Sequence, residues 1–174
     1  QEHIYQVPDT YTAQAFITTD LDDNQITAFH PGAMNFYHLN SVKDSREIHL
    51  GIVAPDGRDG MMQHAREFHE MGIPFMFDPG QGLPMYNGDE LLNFMQQANY
   101  IAVNDYEAQL LQDRTGYKLE SLANKDKVLI ITLGANGSVI YAEGKKIEIP
   151  CVEPREIVDP TGCGDAYRAG LLYG

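Results

Sequence analysis

Tryptophan is absent, cysteine occurs only twice, and 12 Lys+Arg stand against 25 Asp+Glu, for a formal net charge of −13. Each shortage excludes something. A chain this acidic repels a phosphate backbone, so a nucleic-acid partner is not expected. A single bound nucleotide is compatible, because backbone N–H groups and a metal ion can hold a few phosphates without a basic surface. The two cysteines, Cys151 and Cys163, do not make a disulfide framework and suit a reducing, cytoplasmic setting. No apolar run approaches the ~20 residues of a membrane helix, and no signal-peptide pattern opens the chain, so no membrane partner is expected. The six histidines are scattered; His64 and His69 lack the HExxH order, which argues against zinc.

What is present is patterned. With 174 residues and 43% hydrophobic content, the chain can build one domain with a core of its own. Residues 13–19 (AQAFITT) and 25–29 (QITAF) flank Asp22-Asp23-Asn24 and read as an edge β-hairpin, followed by a weak helical segment around Phe36–Val42. Type then alternates. Strands are expected at 47–53, 73–77, 99–103, 128–133, 138–142 and, more weakly, 146–149. Helices are expected at 58–71, with Met61, Met62, Ala65, Phe68 and Met71 on one face, and at 89–98, 105–115 and from about Gly164. Strand-then-helix repetition with apolar strands signifies an α/β domain whose mostly parallel sheet is covered on both faces.

In such sheets ligands bind beyond the carboxyl ends of the strands. The most informative turn is Asp159-Pro160-Thr161-Gly162-Cys163-Gly164-Asp165, which opens the last helix. Gly162 and Gly164 let successive backbone N–H groups point one way, and a helix N-terminus adds partial positive charge, which together make an anion cradle. Asp165 has the wrong charge for a phosphate ligand but the right chemistry to take a proton from a hydroxyl beside it. Local chemistry alone equally allows a helix cap on a glycine turn. Asn104-Asp105-Tyr106-Glu107 follows the strand at 99–103; as Asn followed three residues later by Glu, it is also a capping box. Thr132-Leu133-Gly134 with Asn136-Gly137 ends another strand, where a type I′ hairpin turn explains the glycines as well. Asp78, ahead of Pro79-Gly80, faces the same crevice as a turn residue or a water-mediated metal contact.

The segment DPTGCGDAYRAG closely resembles the D-T-x-G-A-G-D signature of the ribokinase (PfkB) family of carbohydrate and nucleoside kinases. Asp159, Thr161, Gly162, Gly164 and Asp165 match it, with Cys163 where the family usually has alanine. The resemblance implies a ribokinase-like three-layer sandwich and ATP-dependent phosphoryl transfer to a primary hydroxyl, with Asp165 as the base and Gly162, Cys163 and Gly164 as the anion hole. It further implies Mg²⁺ organised near Asn104 and Glu107 (the family's N-x-x-E) and nucleotide contacts from Thr132, Gly134 and Asn104. A monovalent cation such as K⁺ is implied near Asp159 and Thr161.

The runs QAFITTDLDDNQITAF, FDPGQGLPMYNGDELL and AVNDYEAQLL look most like the bacterial adenosine-kinase-like branch. A nucleoside, or alternatively a sugar, is therefore the implied small-molecule acceptor. A non-catalytic nucleotide-binding or assembly module is the competing class. It is disfavoured on the expectation that Asp165 is a buried carboxylate near phosphates, which binding alone would not use. A dinucleotide oxidoreductase lacks its G-x-G-x-x-G, and a P-loop ATPase lacks G-x-x-x-x-G-K-[ST]. Residues 1–174 are thus expected to be a single truncated kinase domain, with 1–30 a hairpin region and 47–174 the α/β catalytic core. It is expected to be incomplete at the N-terminus and, less firmly since Gly174 suits a helix stop, at the C-terminus. The resemblance places the acceptor grip outside this sequence, so the chain alone is expected to be a poor kinase.

Overall fold

Residues 3–21, 25–123, 126–156 and 161–174 are described by the structure, a computed structural model. Strands β3 (Gly51–Val53), β4 (Phe75–Phe77), β5 (Tyr100–Asn104), β6 (Val128–Thr132), β7 (Ser138–Ala142) and β8 (Lys145–Ile149) form one six-stranded sheet in that order. The β3–β4, β4–β5 and β5–β6 pairings are parallel, whereas β7 and β8 run antiparallel to their neighbours. β1 (Gln14–Thr19) and β2 (Gln25–His30) pair antiparallel in a two-stranded sheet of their own. The Asp22-Asp23-Asn24 turn expected between them lies outside the described residues.

Three helices cover one face: α1 (Arg58–Glu70), α2 (Gly88–Gln97) and α3 (Asp105–Thr115). Their Met61, Ala65, Phe68, Leu91, Phe94, Met95 and Leu111 bury against Val53, Phe75, Phe77, Ile101, Val103 and Leu129. Those strand residues alternate with the ones facing away, as the period of two requires. Met76, Ala102 and Ile130 form a smaller cluster on the opposite face, packed by Tyr167 and Leu171 of α4 (Cys163–Tyr173). Helices on both faces of a mostly parallel sheet give the expected three layers. Starts and stops follow local chemistry: Asn87 and Asn104 each close a reciprocal capping box, and α3 ends on Gly116 at φ +72°.

Several boundaries differ from expectation. The first two strands of the sheet are three residues each, shorter than 47–53 and 73–77. Pro74 has no N–H to donate, so the ladder begins after it, with Gly51 level with Phe75. Residues 32–39 and 42–44 are 3-10 turns and not an α-helix around 36–42. The link from β6 to β7 is a five-residue loop around a 3-10 turn at Gly134–Asn136, not a type I′ turn. The positive-φ pair suited to a two-residue hairpin is Glu143-Gly144, between β7 and β8. Of the expected apolar face of α1, Met71 lies outside the helix and is exposed.

Candidate functional site

The parallel strands end in two steps: β3 and β4 finish level with each other, and β5 and β6 run three residues further. Asn104 of β5 pairs with Thr132 of β6, and the amide of Asp78, just past β4, donates to the carbonyl of Val53 at 2.9 Å. The turns beyond these ends form the rim of a cleft of about 580 Å³, lined among others by Pro55, Asp78, Gly80, Glu107, Asp165 and Arg168. Three of the residues singled out in the sequence, Asp78, Glu107 and Asp165, thus open onto the same space.

Glu107 reaches the cleft from the first turn of α3. Its Oε2 accepts the Asn104 N–H at 2.9 Å and its Oε1 accepts from Asn104 Nδ2 at 3.0 Å, while its own N–H donates to Asn104 Oδ1 at 2.7 Å. The capping-box reading of these two residues is therefore realised. The box also fixes the direction of the carboxylate that borders the cleft. Thr132 and Gly134 are not among the residues that line it; the Thr132 hydroxyl donates to the Val103 carbonyl at 3.5 Å, and Gly134 turns the chain at φ +57°.

The helix carrying Asp165 starts differently from α2 and α3. Gly162, at φ +81°, stands at its N-cap position and, having no side chain, makes no side-chain cap hydrogen bond. The first intrahelical bond runs from the Ala166 N–H to the Gly162 carbonyl, which leaves the N–H groups before it without a helical partner. Gly162, Cys163, Gly164 and Asp165 are all exposed. Open space surrounds the Cβ position of Gly162, whereas a Cβ on Gly164 would stand 2.7 Å from the guanidinium of Arg168. The Asp165 side chain is 89% exposed. The expectation of a buried carboxylate is thus corrected: Asp165 lies on the solvent side of a helix of which no residue is fully buried. Thr161 is exposed beside it; Asp159, its partner in the expected cation site, lies outside the described residues.

Sequence reasoning missed Arg168. Its Nη2 donates to Asp78 Oδ1 at 2.7 Å and its Nε pairs with Asp78 Oδ2, while its Nη1 lies 3.7 Å from Asp165 Oδ1. Asp78 is 2% exposed. Burial pushes its carboxyl up, Arg168 pulls against that, and the Glu107 and Asp165 carboxylates add to the upward push. The one available signal was spacing: Arg168 stands one helical turn after Asp165. Its partner is 90 positions away in sequence.

Chemically, the rim combines an uncapped helix start, three carboxylates and one arginine. A phosphate chain entering it needs a cation to offset the carboxylates. Among the described residues no group of three or more His, Cys, Asp or Glu side chains could hold a metal ion by itself. One or two rim carboxylates are the kind of protein donor Mg²⁺ uses when it keeps most of its waters and binds phosphates at the same time. No helix among the described residues is long and apolar enough to cross a membrane.

Comparison with known proteins agrees with this geometry. The chain is 36% identical over 171 residues to a nucleoside kinase of Methanocaldococcus jannaschii, across 97% of this chain and 55% of that protein. The structure of Burkholderia thailandensis nucleoside kinase in complex with inosine matches with a TM-score of 0.92 at 54% identity, over 97% of this chain and 56% of the other. The same enzyme in complex with ADP-inosine matches at 0.90. A ribokinase of Cryptococcus neoformans in complex with ADP, at 22% identity and a TM-score of 0.71, shares the fold. The chain spans about half the length of these nucleoside kinases. A family model described as pfkB family carbohydrate kinase matches residues 1–174 from end to end, and with the sheet, the signature turn and the cleft in agreement, the chain belongs to that family, the ribokinase family.

Proposed function

We propose that this chain carries the phosphoryl-transfer site of an ATP-dependent nucleoside kinase. The observation that supports it most is the meeting of Glu107 and Asp165 in one cleft, at the carboxyl ends of the parallel strands and beside a helix start that no side chain caps. In this reading the exposed Asp165 carboxylate accepts the proton of a primary hydroxyl, the 5′-hydroxyl of the nucleoside, as that oxygen bonds to the γ-phosphorus and the bond to the ADP oxygen breaks. The backbone N–H groups of Gly162, Cys163 and Gly164 face the transferred group and offset its developing charge. Asn104 and Glu107 would hold Mg²⁺ through water and phosphate, and the ion would supply neutralisation of the phosphate oxygens. Thr132 and Gly134 follow the nucleotide on the neighbouring strand end. A monovalent cation such as K⁺ belongs near Thr161 and Asp159.

A nucleoside is preferred over a sugar because relatives 36% and 33% identical to this chain are named nucleoside kinases, and a nucleoside kinase 54% identical to it was solved with inosine and with ADP-inosine. The test is ADP release by the complete protein with ATP·Mg²⁺ and a panel of inosine, adenosine, cytidine, ribose and fructose. Turnover is expected with one or more nucleosides and little with the sugars. A sugar turned over faster than every nucleoside would replace the substrate class, and phosphorylation of none of the acceptors would refute the kinase reading.

A further inference from the structure

The helix that bears Asp165 has no fully buried residue. Its apolar hold on the sheet is limited to the partly buried Tyr167 and Leu171. Two polar anchors add to that hold, each ending on a nearly inaccessible sheet residue. The Tyr167 hydroxyl donates to Ser138 Oγ at 2.8 Å, and Arg168 donates from Nη2 to Asp78 Oδ1 at 2.7 Å, with its Nε in ion-pair contact with Oδ2 but making no hydrogen bond; Ser138 and Asp78 are each 2% exposed. Adjacent helical residues point about 100° apart. Their anchors sit at the start of β7 and just past β4, three strand positions apart in the sheet, which is roughly 14 Å at the usual strand spacing. Two diverging anchors this far apart fix the rotation of α4 about its own axis, which a small apolar patch cannot do alone. Asp165, one turn before Arg168, takes its direction over the cleft from that rotation.

We infer that Arg168 is a positioning residue whose grip on Asp78 sets the aim of Asp165 at the acceptor hydroxyl. The inference rests on the proposed role of Asp165 as base. The desolvation of Asp78 works against its ionised form, and Arg168 does not fully offset it. Replacing a buried pair of this kind as a whole can be nearly neutral, whereas removing one partner leaves the other charge buried and is destabilising, so Arg168→Gln is expected to lower the melting temperature as well.

The experiment is a double-mutant cycle in the complete protein, reading kcat, the KM for ATP and the melting temperature for Arg168→Gln, Asp165→Asn and the double variant. Misaiming the base should lower kcat by about 10²-fold, the cost of an ångström-scale misplacement, with the KM for ATP little changed. In the Asp165→Asn background the same Arg168→Gln change should cost almost nothing further in kcat, because the group it aims has gone. Full additivity of the two losses, or wild-type kcat in Arg168→Gln, overturns the inference and leaves Asp165 as base intact. Wild-type kcat in Asp165→Asn overturns the underlying reading instead. Arg168→Lys keeps the charge but not the two-point grip, and supplies the same comparison if Gln prevents folding. Reduced kcat measured well below each variant's melting transition, where the chain is folded, supports positioning; undiminished kcat refutes it.

Discussion

Replacing Asp165 by Asn separates the chemistry from the architecture of the last helix. Asn is nearly isosteric and removes only the charge and the proton-accepting capacity. The structural cost can be worked out. The side chain is 89% exposed, caps nothing, and its ion pair with Arg168 is a loose 3.7 Å contact. Exposed pairs of this kind contribute ~0–1 kcal/mol and a first-turn carboxylate adds ~0.3–1 kcal/mol at low salt, both screened by ions. We therefore expect a loss of about 0.5 kcal/mol, or ~1–2 °C in melting temperature for a chain of this size. The kinetic cost is of another order. Loss of a general base typically lowers the rate ~10²–10⁴-fold, which is roughly 3–5 kcal/mol of barrier. Steady-state kinetics with ATP and inosine, ATP-analogue binding and a melting curve on the same complete protein give all three quantities. The expected pattern is a collapse of kcat with nucleotide affinity and melting temperature nearly unchanged. Retention of more than about a tenth of the wild-type kcat, below the usual range for a lost base, would refute the role given to Asp165.

Gly162→Val places a β-branched side chain where φ is +81° and where, in the proposed function, backbone N–H groups meet phosphate; kcat and nucleotide affinity should fall together, unlike Asp165→Asn. Wild-type affinity measured by titration with an ATP analogue would remove Gly162 from the cradle. Phe94→Ala should destabilise by about 4 kcal/mol, since the ring is 2% exposed, stacks on Phe77 at 4.5 Å and meets Tyr86 edge-on at 5.0 Å. A melting temperature lowered by ~8–16 °C is expected, and a shift of under about 3 °C would show that the neighbouring rings collapse into the space.

The strands at β5, β6 and β7 and the helices α1 to α3 were legible because each is an apolar run or stripe bounded by glycine, asparagine or a charged turn. The first two strands of the sheet read too long for an equally local reason. Ile48, Leu50 and Ile73 continue the apolar pattern, but Pro74 cannot donate to a ladder, and Leu50 remains 42% exposed. At the site, the signature turn and the Asn104–Glu107 pair were legible as spacings within a few residues. The Asp78–Arg168 pair was not, because it joins positions 90 apart and only the fold brings them together. The exposure of Asp165 was also hidden: a carboxylate in the first turn of a helix has the same sequence pattern whether that turn faces solvent or protein.

The level pairing of Asn104 with Thr132 carries a consequence for how such a chain can change length. On β5 and β6 the inward residues Ile101, Val103 and Leu129 alternate with Ala102 and Ile130 on the other face. One residue gained or lost within either strand would exchange the two faces and, in the same step, move the strand end from which the cleft-lining turn of Glu107 departs or that lies level with it. Core and site are thus written on a single ruler, and insertions within these strands are closed to drift. The turn at Glu143-Gly144 is exposed, lies at the opposite end of the sheet and joins the half-buried end of β7 to the exposed start of β8. Residues can be added there without shifting either scale, so diversification of this domain should accumulate at that end and leave the cleft unaltered.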